Sequence, residues 1–581
     1  MTNADLARIL DQLAALSELN DDNPFRVRAY RNAARTVLDL EEQVPDLIAR
    51  GADLTEIQGI GKEIAQKLRA ITETGSLEQL EKLKEAVPVG LIAVTEVQGV
   101  GPKRARTLWR ELDVTGIDDL ERVAKEGRVA ELEGFGEKSQ EKILKGIDSY
   151  RRHSGRMRLG DADALVQPLL MRLRGVAGVR RAEVAGSYRR RRETIGDVDL
   201  LVVADDGRAA SEALTGMPGV AEVLGSGETR TSVRLEGGLQ VDLRVVPEES
   251  FGAAWLYFTG SKEHNVELRQ VAVDRGWHLS EYGLFEGGEP GRERSGGKWL
   301  AGASEEEVYD AFDLDWVPPE LREHRGEIEA AGEHRLPELV TVEAIRGDLH
   351  MHSTWSDGKA GVLEMMEACE KRSYEYMAIT DHSKALRMTG GLDAEKLGRQ
   401  WQELDELTAD RDGIAVLRGM EVDILRDGSL DLEEEWLAKL DIVIVSVHSL
   451  FDLAEAAQTE RMVEAVSHPE VNVLAHPTGR LLGERDPYPV DLDAVFEACA
   501  GNGVAVELNA SPERLDLNDV HALAARHKGL TLVIDTDAHS TRHLDFMHFG
   551  VEQARRAWVT PDAVLNTRPL ADVKRFLGKT T

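Results

Sequence analysis

The chain has 581 residues, 42% of them hydrophobic, which predicts three or four domains with separate cores rather than one. No apolar run approaches the roughly 18 residues that cross a membrane, so we expect a cytoplasmic protein without a membrane partner. Two cysteines, Cys369 and Cys499, are too few for a disulfide framework and match no zinc-binding spacing, which excludes a small disulfide-stabilised or zinc-ribbon protein.

The net charge of −34 argues against nucleic-acid binding, because such binding depends on basic side chains that neutralise phosphates. The charge is unevenly distributed, however. Residues 1–155 contain 23 basic and 28 acidic side chains, a net charge of −5, which leaves −29 for the remaining 426 residues. The N-terminal region is therefore close to neutral, and contact with DNA is possible there.

Short helices separated by glycine-containing turns are predicted for residues 1–88 and 89–154. Three turns share the frame x-Gly-x-Gly and precede amphipathic helices. A turn of this kind exposes backbone N–H groups at the positive end of a helix, where a DNA phosphate can bind without sequence readout. One such turn alone would be an ordinary helix connection, but three indicate helix-hairpin-helix DNA-binding elements. Their glycines are Gly59 and Gly61, Gly99 and Gly101, and Gly134 and Gly136.

Strands alternating with helices over residues 155–247 predict a mixed sheet. Asp197 and Asp199 open one apolar strand, and Asp242 lies in a later one. Side chains two residues apart on a strand point to the same side, so these three carboxylates can hold a pair of Mg²⁺ ions. A solvated acidic strand end is the alternative.

Phosphate-binding groups precede the aspartates. Gly186 allows backbone to approach a phosphate, and Ser187 and Arg190 can donate hydrogen bonds to one. Further along, residues 287–345 are rich in Gly, Pro and charge, and we place a linker at 325–345.

From residue 346 to 581, about seven apolar runs alternate with helical stretches, and most end in His, Asp or Glu. All but one of these runs, residues 504–508, are followed by a candidate ligand. This pattern predicts a distorted β/α barrel with ligands at the carboxyl ends of its strands. Mixed imidazole and carboxylate ligands suit two or three Mn²⁺, Zn²⁺ or Fe ions. Arg480 could hold a phosphate there, with an exposed surface arginine as the alternative. The nine candidate ligands are His350, His352, Asp357, His382, Glu421, His448, His476, Asp537 and His539.

With these motifs, almost the whole chain resembles the family X DNA polymerases of bacteria and archaea that carry a C-terminal polymerase-and-histidinol-phosphatase (PHP) domain. The resemblance implies a multidomain α+β and α/β protein. Its parts would be a lyase-like helix-hairpin-helix domain at 1–88, a fingers-like region at 89–154, a nucleotidyltransferase palm at 155–247, a thumb at 248–324 and a distorted (β/α)7 PHP barrel at 346–581. Because only 19 of the 71 basic residues are lysine, a halophilic archaeal source is one interpretation and an acidic bacterial protein the other.

The resemblance also assigns a nucleotide-selecting segment. Tyr257, Phe258 and Gly260 would line the sugar side of the nucleotide, Asn265 would meet the base and Arg269 the template strand. Two positions depart from the pattern of animal gap-filling relatives. Lys262 stands where they have an acidic residue, and Gln240 where they have a basic one beside the third aspartate. These two departures bear on efficiency and base selection rather than on the reaction.

A lysine matching Lys67 forms a Schiff base with 5′-deoxyribose phosphate in family members that have lyase activity. Here Lys67 follows the first hairpin on a predicted helix, and Tyr30-Arg31 also match the lyase domain. Desolvation would lower the amine's pKa and make it nucleophilic. The alternative is that Lys67 only contacts phosphate.

The family's activity is template-directed gap filling on gapped or nicked DNA with deoxynucleoside triphosphates and Mg²⁺ (or Mn²⁺). In relatives the PHP site is a 3′-to-5′ exonuclease, acting in some also on abasic or blocked 3′ ends. We therefore expect a monomeric, nucleoid-associated repair enzyme. Two alternatives are a PHP nuclease with weak polymerase activity and a DNA-end-binding scaffold.

Overall fold

The computed structural model describes residues 3–40, 42–57, 59–153, 155–287, 297–409, 411 and 413–578. Part of the Gly- and Pro-rich stretch after residue 287 lies outside these ranges. Residues 1–154 with 483–485 form one unit, and residues 155–482 with 486–581 form the other.

Nine helices account for the regular structure of residues 3–153, as far as this part of the chain is described. Their apolar faces meet in one core that includes Leu6, Leu68 and Leu108. The three predicted hairpins share one backbone pattern: Gly59, Gly99 and Gly134 have positive φ values of 89°, 93° and 81°. The second glycine of each pair immediately precedes α4, α7 or α9. The helices are α1 (Asn3–Leu19), α2 (Pro24–Asp39), α3 (Val44–Ala49), α4 (Lys62–Thr74), α5 (Glu78–Ala86), α6 (Leu91–Thr95), α7 (Pro102–Leu112), α8 (Ile117–Lys125) and α9 (Glu137–His153).

The palm is built on a five-stranded mixed sheet in the order β2-β4-β7-β6-β5, with a small β1-β3 ribbon beside it. Only β4 and β7 pair in parallel within the five-stranded sheet. The elements are β1 (Met157–Arg158), α10 (Leu159–Arg174), β2 (Val179–Val184), α11 (Gly186–Arg189), β3 (Thr194–Ile195), β4 (Asp197–Ala204), α12 (Gly207–Thr215), β5 (Val220–Ser226), β6 (Arg230–Leu235) and β7 (Gln240–Val245).

The thumb combines helices with a three-stranded antiparallel sheet in the order β10-β9-β8. The segment 325–345, predicted as a linker, contains a helix, and Ile328, Ala331 and Leu339 are buried in the thumb core. The high content of Gly, Pro and charged residues over the longer stretch 287–345 concealed these few apolar contacts. The thumb elements are α13 (Phe251–Thr259), α14 (Lys262–Asp274), β8 (Trp277–Ser280), β9 (Gly283–Glu286), β10 (Lys298–Ala301), α15 (Glu305–Ala311) and α16 (Glu327–Gly332).

Seven parallel strands in sequential order form the PHP barrel, β11 to β17. A parallel bridge between Met351 and Ala538 brings the first and last strands together, so the barrel is nearly closed. The elements are β11 (Gly347–Asp348), α17 (Val362–Lys371), β12 (Tyr376–Ile379), α18 (Ala394–Thr408), β13 (Ala415–Asp423), α19 (Glu434–Leu437), β14 (Ile442–Ser446), α20 (Glu455–Val466), β15 (Val473–Leu474), α21 (Leu492–Asn502), β16 (Ala505–Asn509), α22 (Asp519–His527), β17 (Leu532–Asp535), α23 (Met547–Arg556) and α24 (Leu570–Phe576).

The predicted fold class is confirmed in all its parts. The N-terminal region is helical, the palm has a mixed sheet, and the C-terminal region is a seven-stranded β/α barrel. Among the described residues, no helix combines the length and the apolar character that crossing a membrane demands.

Two candidate metal centres

The first centre lies where β4 and β7 run side by side. Their parallel register places Asp199 opposite Asp242 and Asp197 opposite Gln240. Since Asp197 and Asp199 are two residues apart on one strand, both project to the side that Asp242 occupies. The structure therefore brings the three predicted carboxylates together, and such a set suits two divalent cations.

Asp242 is the most enclosed of the three and is held by its neighbours. Its side chain accepts hydrogen bonds from the Ser232 hydroxyl and, at 2.9 Å, from Gln240 Nε2. Arg230 lies 3.6 Å from the same carboxylate. Gln240, noted in the sequence as a departure from animal relatives, thus orients the third aspartate without adding a charge.

The ionisation of Asp199 is perturbed by its surroundings. Burial, together with the negative charges of Asp197 and Asp242, raises its pKa to about 6. Gly186 lies directly beside it, with φ of 65°, and a Cβ at this position would stand 2.8 Å from Asp199 Oδ2. A cation between the carboxylates would relieve their repulsion, which is the fit expected of a metal site.

Asp197 and Asp199 line a cavity of about 600 Å³. Arg190, predicted to bind phosphate, lines it but is already engaged: Nε donates to Glu323 Oε1 at 3.0 Å and Nη1 donates to the Thr259 carbonyl. Arg192, 41% exposed, and Arg156 also line the cavity, and sequence reasoning missed both. The lining residues are Arg156, Gly186, Ser187, Arg190, Arg192, Thr194, Asp197, Asp199, Tyr257, Phe258, Thr259, Gly260, Lys262, Asn265 and Arg269.

The predicted nucleotide-selecting segment forms the thumb side of the same cavity. Tyr257 and Phe258 end α13, and the Asn265 amide donates to the Tyr257 carbonyl at 2.7 Å. Arg269 Nε donates to the Asn265 carbonyl at 3.1 Å. Gly260, with φ of 71°, approaches so closely that a Cβ would stand 3.0 Å from Arg190 Nη1. All five residues named for this segment thus line one pocket.

The second centre lies at the carboxyl ends of the barrel strands, where the structure brings all nine candidate ligands together. Glu421 is the central carboxylate: Oε1 lies 2.9 Å from His476 Nε2 and 3.4 Å from His448 Nε2. Its other oxygen lies 2.8 Å from His382 Nδ1 and 3.5 Å from His350 Nε2.

The remaining ligands complete the set around two aspartates. Asp537 Oδ1 lies 3.1 Å from His352 Nε2. Asp357 Oδ1 lies 3.5 Å from His539 Nε2 and 3.7 Å from His382 Nε2. Three overlapping groups have ligand atoms within 4.8 Å of one another: His352, Asp357, His382 and His539; His350, His352 and Asp537; His382, Glu421 and His448.

The donor atoms themselves fit metal ions. Within the described parts of the chain, the buried atom His352 Nδ1 finds no hydrogen-bond partner, and Glu421 Oε2 forms no hydrogen bond with either His382 Nδ1 or His350 Nε2 although both atoms lie close to it. Buried polar atoms are rarely left in that state unless something else binds them. His476 and Asp537 also adopt left-handed backbone conformations, with φ of 28° and 52°, a strain that concentrates at functional sites.

Supporting carboxylates behind the histidines were missing from the sequence prediction. Glu507 Oε1 lies 2.6 Å from His350 Nδ1, and Asp423 Oδ1 lies 3.0 Å from His448 Nδ1. Because each carboxylate binds the Nδ1 atom, the Nε2 atom of each histidine faces the centre. Carboxylates commonly orient metal-binding histidines in this way. A lone Glu within the apolar run 504–508, the only predicted strand without a ligand, was the signal that could have found Glu507.

The charge state of His352 also suits ligation. Burial, helped by the nearby His539 and His382, lowers its pKa to about 3. The imidazole is therefore neutral at physiological pH, which is the form that binds a metal.

Arg480 has neither of the roles considered for it. It is 6% exposed, so it is not a surface arginine. Its Nη2 donates to Glu193 Oε2 of the palm at 2.8 Å and to the Leu515 carbonyl of the barrel. Arg480 therefore forms hydrogen bonds across the interface between palm and barrel. The sequence does not reveal this interface.

Lys67 lies in the N-terminal unit on α4, with its side chain 13% exposed. Its Nζ donates to Gln79 Oε1 at 2.6 Å and lies 3.3 Å from Glu63 Oε1 and 5.5 Å from the centre of the Tyr30 ring. Tyr30, predicted as part of the lyase-like set, thus contacts it. The amine is sheltered but has polar partners.

A mixed-sheet palm with three carboxylates and a β/α barrel with a histidine-rich centre define a nucleic-acid enzyme with two metal-dependent sites. Comparison with protein families agrees. The chain matches the DNA polymerase beta palm over residues 169–226 and the DNA polymerase beta thumb over 254–323. It matches the PHP domain over 348–511. A helix-hairpin-helix domain matches 1–77, and a SAM-like helix-hairpin-helix tandem matches 91–149.

Individual relatives are consistent with this division. The chain is 40% identical over 581 residues, the full length of both proteins, to the DNA polymerase/3′-5′ exonuclease PolX of Bacillus subtilis. DNA polymerase lambda of Rattus norvegicus is 25% identical over 342 residues, 55% of this chain and 56% of that protein. A probable phosphatase of Thermoanaerobacter is 28% identical over 242 residues, 40% of this chain and 93% of that protein. The chain belongs to the family X DNA polymerases that carry a PHP domain.

Proposed function

We propose that this enzyme fills short gaps in DNA by templated nucleotidyl transfer and trims 3′ ends at its PHP centre during repair. One observation supports this above the others: Asp197 and Asp199 line an arginine-containing cavity, and the strand register pairs Asp199 with Asp242 beside them. The centre of nine candidate ligands lies on the same chain. A 3′ end trimmed at the barrel is the substrate that the palm extends.

In the palm, Asp197, Asp199 and Asp242 would hold two Mg²⁺ (or Mn²⁺) ions. The chemistry supplied by ions bound there is activation of a primer 3′-hydroxyl and neutralisation of triphosphate charge. The Ser187 hydroxyl and the Arg192 guanidinium face the same cavity and orient the triphosphate by charge-assisted hydrogen bonds. Gly186 leaves the space that a phosphate needs beside Asp199.

In the barrel, the three overlapping ligand groups suit two or three Mn²⁺, Zn²⁺ or Fe ions. The chemistry supplied by ions bound there is hydrolysis of the terminal phosphodiester, through a lowered pKa of water and neutralised phosphoryl charge. Glu507 and Asp423 keep the histidines oriented toward the centre. The product is a 3′-hydroxyl.

Gapped or nicked DNA is the substrate that this arrangement favours, with the enzyme acting as a monomer. The hairpins at Gly59–Gly61, Gly99–Gly101 and Gly134–Gly136 present backbone N–H groups at helix starts, where phosphates bind regardless of sequence. Binding through these turns requires few lysines and arginines, which is compatible with the acidic composition.

The test is primer extension and 3′ degradation on one gapped duplex, measured in Mg²⁺ and in Mn²⁺ and at low and molar salt. We expect Asp197→Ala to reduce extension about a hundredfold or more and to leave 3′ trimming unchanged. His350→Ala should do the reverse. Asp205→Ala and His468→Ala, which change residues remote from both centres, are the matched controls.

Each activity can fail separately. Extension that survives Asp197→Ala overturns the polymerase assignment, and trimming that survives His350→Ala overturns the nuclease assignment. Strong trimming with very weak extension by the wild type would favour the nuclease reading. DNA binding with neither activity would favour the scaffold.

A lyase step at Lys67 is a second candidate function, supported by the sheltered position of this amine against Tyr30 and Gln79. In a Schiff-base step the lysine amine attacks an aldehyde carbon, and the contacts with Tyr30 and Gln79 would hold the Lys67 amine in one position for that attack. Trapping the imine with borohydride distinguishes a lyase role of Lys67 from a role in phosphate contact alone.

A further inference from the structure

Helix α23 of the barrel contacts one wall of the palm's nucleotide cavity, on the face of that wall that points away from the cavity. Residues 186–192, which include α11 and the turn after it, form one wall of that cavity. On the opposite side of this turn, two residues of barrel helix α23 donate to its backbone. Arg556 Nη1 donates to the Arg190 carbonyl at 2.6 Å, and Gln553 Nε2 donates to the Arg191 carbonyl at 2.9 Å.

A second connection runs through the side chain of Glu323 in the thumb. Its Oε1 accepts hydrogen bonds from Arg556 Nη1 and from Arg190 Nε, both at 3.0 Å. Its Oε2 accepts from Arg192 Nη1 at 3.2 Å. One carboxylate thus joins a barrel arginine to two arginines of the nucleotide cavity.

Arg556 is itself fixed in place. It is 2% exposed, and its Nη2 donates at 2.6 Å to Asp519 Oδ2, which also accepts from Arg325 at 2.9 Å. A buried arginine with both ends of its guanidinium engaged has very little freedom to move. The turn and Glu323 are therefore held by a rigid anchor.

We propose that Arg556 is a positioning residue for nucleotidyl transfer. It fixes the backbone of the turn 190–192. Through Glu323 it also fixes the positions of the Arg190 and Arg192 guanidiniums, which lie in the cavity where the triphosphate of an incoming nucleotide would bind. The inference rests on the proposed nucleotide site and assigns the PHP barrel a role in polymerisation that does not depend on its own metal chemistry.

Loss of this anchor has a specific consequence. Without Arg556, the negative charge of Glu323 is shared by Arg190 and Arg192 alone, and both are drawn toward it and away from the cavity. The backbone of the turn also loses one of its two donors from α23. Since binding of a triphosphate depends on preorganised donors, the nucleotide KM should change more than kcat.

The adjacent residue provides a matched control. Arg555 lies on the same helix and also joins barrel to thumb, through Glu320 Oε1 at 2.7 Å and the Val340 carbonyl at 3.2 Å. Among the residues that the structure describes, Arg555 makes no hydrogen bond or ion pair with the turn or with Glu323. Arg555→Gln removes the same charge from the same interface.

The experiment is single-nucleotide insertion on gapped DNA with Mg²⁺, using full-length Arg556→Gln, Arg556→Lys and Arg555→Gln. We expect Arg556→Gln to raise the deoxynucleotide KM about five- to twenty-fold, with kcat within about threefold of wild type. Arg556→Lys keeps the positive charge but loses the planar set of guanidinium donors, so its deoxynucleotide KM should lie between those of the wild type and Arg556→Gln. Affinity for gapped DNA and 3′ trimming in Mn²⁺ should not change in any of the three.

The proposal is overturned if Arg556→Gln and Arg555→Gln shift the KM equally, or if extension and trimming fall together. Where Arg556→Gln fails to fold, Gln553→Ala removes the neutral donor to the same turn and should raise the KM about two- to fourfold; an unchanged KM then overturns the proposal. A wild-type enzyme that does not extend a primer would instead overturn the proposed function, and with it this role of Arg556.

Discussion

Glu507 Oε1 lies 2.6 Å from His350 Nδ1, and both side chains are fully buried. The other Glu507 oxygen accepts the backbone N–H of His476 at 2.7 Å. One carboxylate on β16 therefore orients two of the nine candidate metal ligands.

Replacing Glu507 with Gln should weaken metal binding in the barrel about 10- to 100-fold, because the histidine loses the charged acceptor that sets its orientation and basicity. Metal content after dialysis against a weak chelator, measured by mass spectrometry, checks this, and trimming should fall in parallel. Extension by the palm should be unchanged. Glu497→Gln, on the exposed face of the preceding helix α21, is the control; equal metal loss in both variants would contradict the assigned role.

Eight of the nine ligands at this centre are predictable from sequence because they follow apolar runs, and parallel barrel strands bring their carboxyl ends to one rim; Asp357 lies in a turn instead. Glu507 is different, since it lies inside its strand and only the fold shows that its side chain reaches His350. The palm aspartates are predictable for a related reason: a spacing of two residues on a strand fixes the side to which they point.

Arginine partners could not be predicted in the same way. Arg190, Arg480 and Arg556 find their acceptors 133, 35 and 233 residues away in sequence, at Glu323, Leu515 and Glu323 respectively. No local pattern encodes such pairings, because they depend on how palm, thumb and barrel pack. Arg480 was misread for this reason, since its burial between palm and barrel is a property of the assembled domains.

A buried triad of Arg189, Glu305 and Arg322 joins palm and thumb. Both guanidiniums donate two hydrogen bonds to Glu305, at 2.6 to 2.9 Å. Burial alone would raise the pKa of Glu305, but the two arginines outweigh it and hold that pKa well below its usual range. Glu305→Gln should destabilise the protein by about 3–5 kcal/mol, because two buried positive charges lose their counter-charge.

Thermal and urea unfolding of the Glu305 variant test this expectation. Glu306→Gln, on the next and exposed position of the same helix, should change stability by less than about 0.5 kcal/mol. If the two variants unfold alike, the triad does not contribute as its burial implies.

Asp199 predicts an unusual dependence of stability on pH. Its pKa is about 6 in the folded protein, above its ordinary value of 3.8, because burial and two neighbouring carboxylates disfavour the charge. Between these two values the folded state binds the proton more tightly, so stability of the metal-free protein falls as pH rises through about 4 to 6. Asp199→Asn should therefore be more stable than wild type by roughly 1–3 kcal/mol at pH 7.5 in EDTA, and should not extend primers.

The comparison is thermal unfolding at pH 4.5 and pH 7.5, with and without Mg²⁺. The advantage of Asp199→Asn should shrink at pH 4.5, where wild-type Asp199 is protonated. It should also shrink in Mg²⁺, which stabilises only a wild type that binds it. Asp205→Asn, exposed just beyond the same strand, should show neither effect, and a pH-independent gain for Asp199→Asn would rule out this explanation.

Lys67 offers a covalent test of lyase chemistry. If its amine attacks the C1′ aldehyde of a 5′-deoxyribose phosphate, water is lost and an imine forms, which borohydride reduces to a stable crosslink. We expect Lys67→Ala to reduce crosslinking to 5′-incised abasic DNA at least about tenfold, while Lys82→Ala, an exposed lysine paired with Glu78, leaves it unchanged. Undiminished crosslinking by Lys67→Ala would rule this lysine out as the nucleophile and leave it as a phosphate contact, which a loss of DNA affinity in the same variant would show.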